Sequence, residues 1–275
     1  MWEQMMAFLK SWFIYPGLNW DLMLIGIGLA LVFGAIWLCA HWPPLFRKHW
    51  LWAVAVASAF LTLLAVTFVQ IPLQNWAGQA LVHFWSQETL INWLLLAGIP
   101  GVLLSGLVQE GAKMVPMVFW WWRRGRNISP KLGLAIGAIA GAGFGIFEAV
   151  WAHNQVLMSG WTWQAVQTDG LMALIPFWDR FWAVAFHIAV SALAGWGLAR
   201  GWGWQFYLLA SGLHGLLNYI VVPYRKGMLT FNQVEIYLAA AAALVVLAAL
   251  WLRWRKREEE PAEPDGPVEP TGIDI

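Results

Sequence analysis

Apolar residues fill long stretches of the chain, and short polar or basic segments punctuate them. Seven stretches approach or exceed the ~20 residues a helix needs to cross a hydrocarbon layer. They run about 21–40, 50–71, 91–122, 132–152, 178–199, 202–222 and 233–252. The pattern predicts an all-α fold: a polytopic transmembrane helix bundle of about seven spans. Pro100-Gly101 and Pro116 interrupt the third stretch, which predicts a bend or an interfacial approach there. Two mixed, aromatic segments, 72–90 and 154–177, are expected to lie flat at the interface. Residues 1–20 read as an interfacial amphipathic segment. MWEQMMAFLKSWF has neither the basic start nor the small-residue cleavage site of a signal peptide. The transmembrane domain is expected over 21–257. Beyond it, EEEPAEPDGPVEPTGIDI (258–275) is acidic, rich in Pro and expected to be disordered.

Composition turns this pattern into a membrane assignment. Hydrophobic residues make up 60% of the chain and charged residues 11%, against roughly a quarter charged in a soluble domain. Such a chain cannot cover a water-facing surface, so a lipid bilayer is its first partner. The 23 Trp residues fit that setting, because indole prefers the membrane–water boundary. A net charge of +1 gives no nucleic-acid footprint. The single Cys39 excludes an intrachain disulfide and is expected to be a small core residue.

Basic residues set an orientation. Arg47, Lys48, Arg123, Arg124, Arg126, Lys131, Arg200, Arg253, Arg255, Lys256 and Arg257 follow spans one, three, five and seven, which is 11 of the 16 Lys and Arg. Lys10, Arg180, Arg225 and Lys226 lie on the other side. The N-terminus is therefore expected outside and the C-terminus in the cytoplasm.

Polar residues inside the spans carry the candidate chemistry. An ionisable group at the bilayer centre costs ~2.5–3.5 kcal/mol on insertion scales, so it needs a partner, water or a function. Glu110 and Lys113 stand at i and i+3 in span three. Phe144 and Glu148, His187 and Ser191, and His214 and Asn218 stand at i and i+4 in spans four, five and six. Each pair shares a helix face. At 1.5 Å per residue, Glu110, His187 and His214 each lie ~20 Å from their basic end, and Glu148 and Asn218 ~25 Å. Four adjacent helices thus direct these groups into one pocket in the outer half of the bilayer. Gly133, Gly137, Gly141 and Gly145, spaced by four, form a groove that lets a neighbouring helix approach. A buried carboxylate can serve as a general base, and imidazole or amide groups can relay protons or meet an oxyanion. The bland readings are an Glu110–Lys113 pair that only satisfies itself, structural histidines, Asn218 as interhelical glue, and Ser191 bonded to a carbonyl or a neighbouring side chain. Phe144 reads as packing. His41, His49, His83 and His153 read as interfacial, and Asp179–Arg180 as a local rim pair.

In order, QEGAK (Gln109–Lys113), FGIFE (Phe144–Glu148), HIAVS (His187–Ser191) and HGLLN (His214–Asn218) resemble the motifs of the PrsW family of intramembrane proteases. That family is similar to the CAAX prenyl endopeptidases and to the multi-spanning scaffold subunit of gamma-secretase. The resemblance covers 105–222. It implies Glu110, Glu148, His187 and His214 as active-site residues, with Gln109, Lys113, Asn218 and Ser191 supporting. It also implies a single-span membrane substrate, such as an anti-sigma factor cut on its outer side, and a bacterial inner membrane. The family motif begins Glu-Glu, and Gln109 replaces the first Glu. In the CAAX branch that position supplies the base, and Gln cannot take a proton near pH 7. Either Glu110 or Glu148 has that task, or the chain is an inactive scaffold. No cofactor is expected in the first case. The alternative is zinc held by Glu110, Glu148, His187 and His214, although no HExxH pair occurs. Transport is a weaker alternative, as no inverted repeat is evident.

Overall fold

Close backbone contact decides where the helices of this chain sit. In the computed structural model, which describes residues 2–255, two long helices form the centre: α8 (Pro130–Met158) and α10 (Ile175–Ala199). A Cβ at Gly133, Gly137 or Gly141 would overlap the carbonyl oxygens of Gly195, Ser191 and His187. The glycine face of α8 therefore lies directly on the backbone of α10, as the spacing by four predicts. Helices at this range gain dispersion contacts that a larger side chain would prevent. The most apolar windows of the spans containing α8 and α10 are 78% and 83% buried, against 22–39% in the other five, so these two are the core.

The remaining spans surround them. They are α2 (Trp20–His41), α3 (Trp50–Ala65) continuing into α4 (Ile71–Phe84), α7 (Ile99–Arg123), α11 (Gly203–Tyr219) and α13 (Phe231–Trp254). Seven helices are long and apolar enough to cross a membrane, and no strand occurs among the described residues. The protein is an all-α, multi-pass membrane bundle. Gly143 abuts the Ala55 carbonyl of α3, and Gly106 of α7 abuts the Ser211 carbonyl of α11. Small residues thus set three of the helix contacts around the centre. At the N-terminus, α1 (Trp2–Ser11) is fastened to α8: Trp12 stacks on Trp151 at 5.1 Å, and the Trp151 indole donates to Ser11 Oγ at 2.9 Å.

Several expectations are corrected. Residues 72–84 are not a separate flat segment. They continue the second span through a π-helical turn at Val66–Gln70, giving one helical run of 35 residues. The break in the third span lies before Pro100, at Trp93 and Gly98, between α5 (Gln87–Asn92), α6 (Leu94–Ala97) and α7. Pro100 falls in the first turn of α7, where its missing N–H costs nothing, and Pro116 sits within α7 without ending it. The segment 154–177 is shorter than expected, because α8 extends to Met158 and α10 begins at Ile175. Between them stand α9 (Trp163–Asp169) and a 3₁₀ turn at Gly170–Leu174. Residues 221–225 form one more short helix, α12 (Val221–Arg225). Cys39 is exposed, not core, because α2 is peripheral. His41 and His153 are buried within the bundle, and His153 Nδ1 lies 3.0 Å from the Gly26 carbonyl, tying α8 to α2. The acidic segment 258–275 lies outside the described residues.

The basic ends that the charge pattern groups together do meet. Arg253 donates to the His41 carbonyl at 2.7 Å, and the guanidinium carbons of Arg200 and Arg255 lie 5.7 and 5.9 Å from the Trp196 ring centre.

Gly141→Ala is expected to cost about 1–3 kcal/mol by overpacking, read as a lower unfolding temperature in detergent. Gly28→Ala, where a Cβ meets nothing within 4 Å, should stay within about 0.5 kcal/mol of wild type.

Candidate functional site

The α8–α10 contact carries His187 into the middle of the polar groups. Around it, α7 contributes Glu110 and Lys113 from adjacent turns, α8 contributes Glu148, and α11 contributes His214. Lys113 is the node. Its ammonium donates to Glu110 Oε1 at 2.5 Å and to His187 Nδ1 at 3.0 Å. Glu110 Oε1 also faces His214 Nδ1 at 2.6 Å, and His187 Nε2 faces Glu148 Oε2 at 3.0 Å. One chain of contacts therefore runs His214–Glu110–Lys113–His187–Glu148 across four helices.

Donor logic settles the histidine tautomer. An ammonium has only donors, so His187 Nδ1 accepts from Lys113. His187 Nε2 then carries the hydrogen and donates to Glu148. His214 Nδ1 likewise donates to the Glu110 carboxylate. The edge of Phe144 packs against the His187 ring at 5.3 Å and fixes its plane, and the Lys113 ammonium lies 6.0 Å from the Phe144 ring centre. Phe144 is packing, as read, and it also orients the imidazole.

Burial divides the cluster in two. Lys113 and Glu110 have side-chain exposures of 0% and 1%, while Glu148 keeps 22%. Glu110 is enclosed by its partners. Glu148 is the carboxylate with an open side, and there Arg180 lies 3.9 Å from its Oε2. Arg180 also makes a 2.6 Å pair with Asp179, so the rim pair expected from the sequence reaches the site itself. Nearby, Glu235 of α13 is buried, with Oε2 unpartnered among the described residues.

Three supporting residues sit apart from this chain. Gln109 points elsewhere from its neighbour Glu110 and donates to Gln70 Oε1 at 3.0 Å. Gln70 contacts Gln74 at 3.5 Å, and Gln74 donates to the Gly101 carbonyl at 2.7 Å. The π-helical turn holds Gln70 against α7, as such turns often do beside functional groups. Asn218 donates to Ser105 Oγ at 3.1 Å, within the α7–α11 contact. Ser191 does not make the hydrogen bond expected of it. Its buried hydroxyl is unpartnered among the described residues, while the Ser191 backbone lies against Gly137 of α8. Arg180, Gln70, Ser105 and Glu235 were not read as site residues. The only sequence signal for them was a polar side chain within or at the end of an apolar span.

Ligand atoms of Glu110, His187 and His214 lie within 4.8 Å of one another, three donors of types that suit zinc. Glu148 is not in that group. Lys113 already directs its ammonium onto both Glu110 Oε1 and His187 Nδ1. Two of the three residues that could hold a metal ion are thus already engaged by a cation of the chain itself.

Lys113→Met should lower stability by roughly 3–5 kcal/mol, since it leaves a buried carboxylate without its cation. The double variant Glu110→Gln/Lys113→Met should recover much of that loss. Unfolding of the three proteins in one detergent checks both statements.

No protein-family model, curated protein or solved structure matches this chain, so the functional reading stands on the geometry of these residues.

Proposed function

We propose that this protein is an intramembrane endopeptidase of the PrsW type, in which Glu148 activates water. The observation that carries this reading is the hydrogen bond from His187 Nε2 to Glu148, the carboxylate of the cluster with an accessible side. The imidazole N–H steadies one carboxylate oxygen and leaves the other to take a proton from water. The water oxygen then bonds to the scissile carbonyl carbon, the C–N bond breaks, and the proton on Glu148 passes to the leaving nitrogen. Arg180 is a cation beside Glu148, placed to meet the negative charge that develops on the carbonyl oxygen. Glu110, Lys113 and His214 are positioning residues that hold His187 from behind. Asn218 and Ser105 support the α7–α11 contact next to them.

The substrate in this reading is a single-span membrane protein, such as an anti-sigma factor, that reaches the pocket laterally. The enzyme lies in the cell membrane of a bacterium, with its N-terminus outside and its basic loops in the cytoplasm. The excess of Lys and Arg at one set of helix ends supports that orientation.

A second reading is a non-catalytic scaffold of the same fold. Gln109, standing where the family motif has its first Glu, favours it. The zinc alternative retains one supporting observation, the three converging ligand atoms, and the Lys113 contacts oppose it.

Single-span proteins trapped by cross-linking to Glu148→Gln in native membranes supply candidate substrates. Reconstituted with the wild-type protein they should be cut, and Glu148→Gln should lower the rate by roughly 10²–10⁴, the usual range for loss of a general base. Its unfolding temperature should stay close to wild type. Cleavage at the full rate by this variant would remove Glu148 as the base, and no cleavage by the wild type would leave the scaffold reading in its place. Loss of cleavage on chelation, with stoichiometric zinc in the purified protein, would establish the metal reading.

A further inference from the structure

At the basic end of the bundle, away from the polar cluster, a groove of about 760 Å³ opens between α2, α8, α13 and the connection from α2 to α3. Its floor is apolar, lined by Ala35 and Leu38 of α2 and by Leu132 and Ala135 of α8. Its rim is cationic, with Arg47, Lys48, Lys131 and Arg253, and no acidic residue lines it among the described residues. Trp42, Phe46 and Trp52 stand at the same rim.

The rim is built rather than incidental. Trp42 has φ 46°, a left-handed conformation that L-residues other than Asn and Asp seldom adopt. It is held there by its own N–H bond to the Leu38 carbonyl at 2.8 Å and by Arg253, which donates to the Trp42 carbonyl at 3.0 Å. The 29-residue helix α8 starts at the groove, with Ser129 capping the Leu132 N–H. Its N-terminus adds the positive end of a long helix dipole to the four cations.

A cationic rim over an apolar floor at the end of a transmembrane bundle matches one kind of molecule: an amphiphile with a negative head and an acyl chain. We propose that this groove binds an anionic glycerophospholipid from the surrounding bilayer. The phosphate sits among Arg47, Lys131 and the α8 N-terminus, and an acyl chain lies along Leu38, Leu132 and Ala135. A free phosphate or nucleotide has nothing to place on that floor. The occupant would bridge α2, α8 and α13, and α8 carries Glu148, so it would brace the helix that holds one side of the polar cluster. The assignment does not depend on the hydrolase reading.

Native mass spectrometry of the detergent-solubilised full chain tests it, with added dioleoylphosphatidylglycerol and dioleoylphosphatidylcholine at equal concentration. The wild type should retain the phosphatidylglycerol preferentially. Arg47→Gln/Lys131→Gln should weaken that retention roughly 30-fold, from the interaction of two basic residues with an anionic lipid surface. Arg123→Gln/Arg124→Gln, which removes equal charge outside the groove, should leave it unchanged. Equal retention of the two lipids by the wild type would overturn the proposal, a comparison that needs no variant to fold. Unchanged retention in the groove variant, or displacement of the lipid by inorganic phosphate at equal concentration, would also overturn it.

Discussion

Lys113 places an ammonium group where no solvent reaches it, and the middle of the bundle is arranged around that cation. An unpaired charge in such surroundings is costly enough to unfold the site or to draw in water. The helix geometry answers with Glu110 one turn earlier on α7, and the neighbouring helices answer with His187 and His214. Glu110 meets Lys113 within α7 itself, but His187 and His214 reach that pair only in a bundle where α10 is packed on α8 and α11 on α7. The glycines at 106, 137 and 141 are what permit both approaches. Backbone packing and charge pairing are therefore one constraint: the helices close because small residues let them, and the closed state is the one in which the ions are satisfied.

The same constraint leaves an asymmetry. In the sequence His214–Glu110–Lys113–His187–Glu148, Glu110, Lys113 and His187 each contact two other members, and the buried His214 closes one end with Nδ1 on Glu110. The chain ends at Glu148, where Arg180 and an open side replace a further buried partner. In the proposed hydrolase reading the outside molecule meets the cluster at this end, where 22% of the Glu148 side chain is exposed, against 4% for His214 at the other end. A purely structural ion cluster has no need of that opening. The opening, more than the presence of acids and imidazoles, separates the catalytic reading from the self-satisfying one.

Much of this was legible in the sequence, and the limits have physical causes. Spans are set by apolar length, so their number and rough positions follow from the residues. The spacing by four of Gly133, Gly137 and Gly141 marks a contact face whatever its partner, and the i, i+4 pairs mark faces of their own helices. Depth counting brought Glu110, His187 and His214 to one level, and the structure joins His214 to Glu110 directly and Glu110 to His187 through Lys113. Side-chain direction is where such reading stops. Adjacent residues on a helix point about 100° apart, and nothing local says that Glu110 turns inward while Gln109 turns toward Gln70. The π-helical turn at Val66–Gln70 has no pattern that distinguishes it from the α-helix on either side, so Gln70 and the continuation to Phe84 were missed. Arg180 looked like half of a rim pair because its second partner, Glu148, lies 32 positions away in sequence and on another helix.

Gln109 can now be placed in physical terms. Its amide N–H opens a run in which the amides of Gln109, Gln70 and Gln74 and the Gly101 carbonyl follow one another, each N–H₂ directed at the next oxygen. A carboxylate at the head of that run has no hydrogen to give. It would require Gln70 to turn its amide around, which would withdraw the hydrogen directed at Gln74. It would also set a second negative charge next to Glu110, beside a single ammonium. The carboxamide avoids both problems, so the departure from the Glu-Glu pattern is matched to Gln70 on the facing helix. With the position at 109 committed to that contact and Glu110 enclosed, the proposed hydrolase reading takes its acid from α8. The structure offers one there, in Glu148, already oriented by His187.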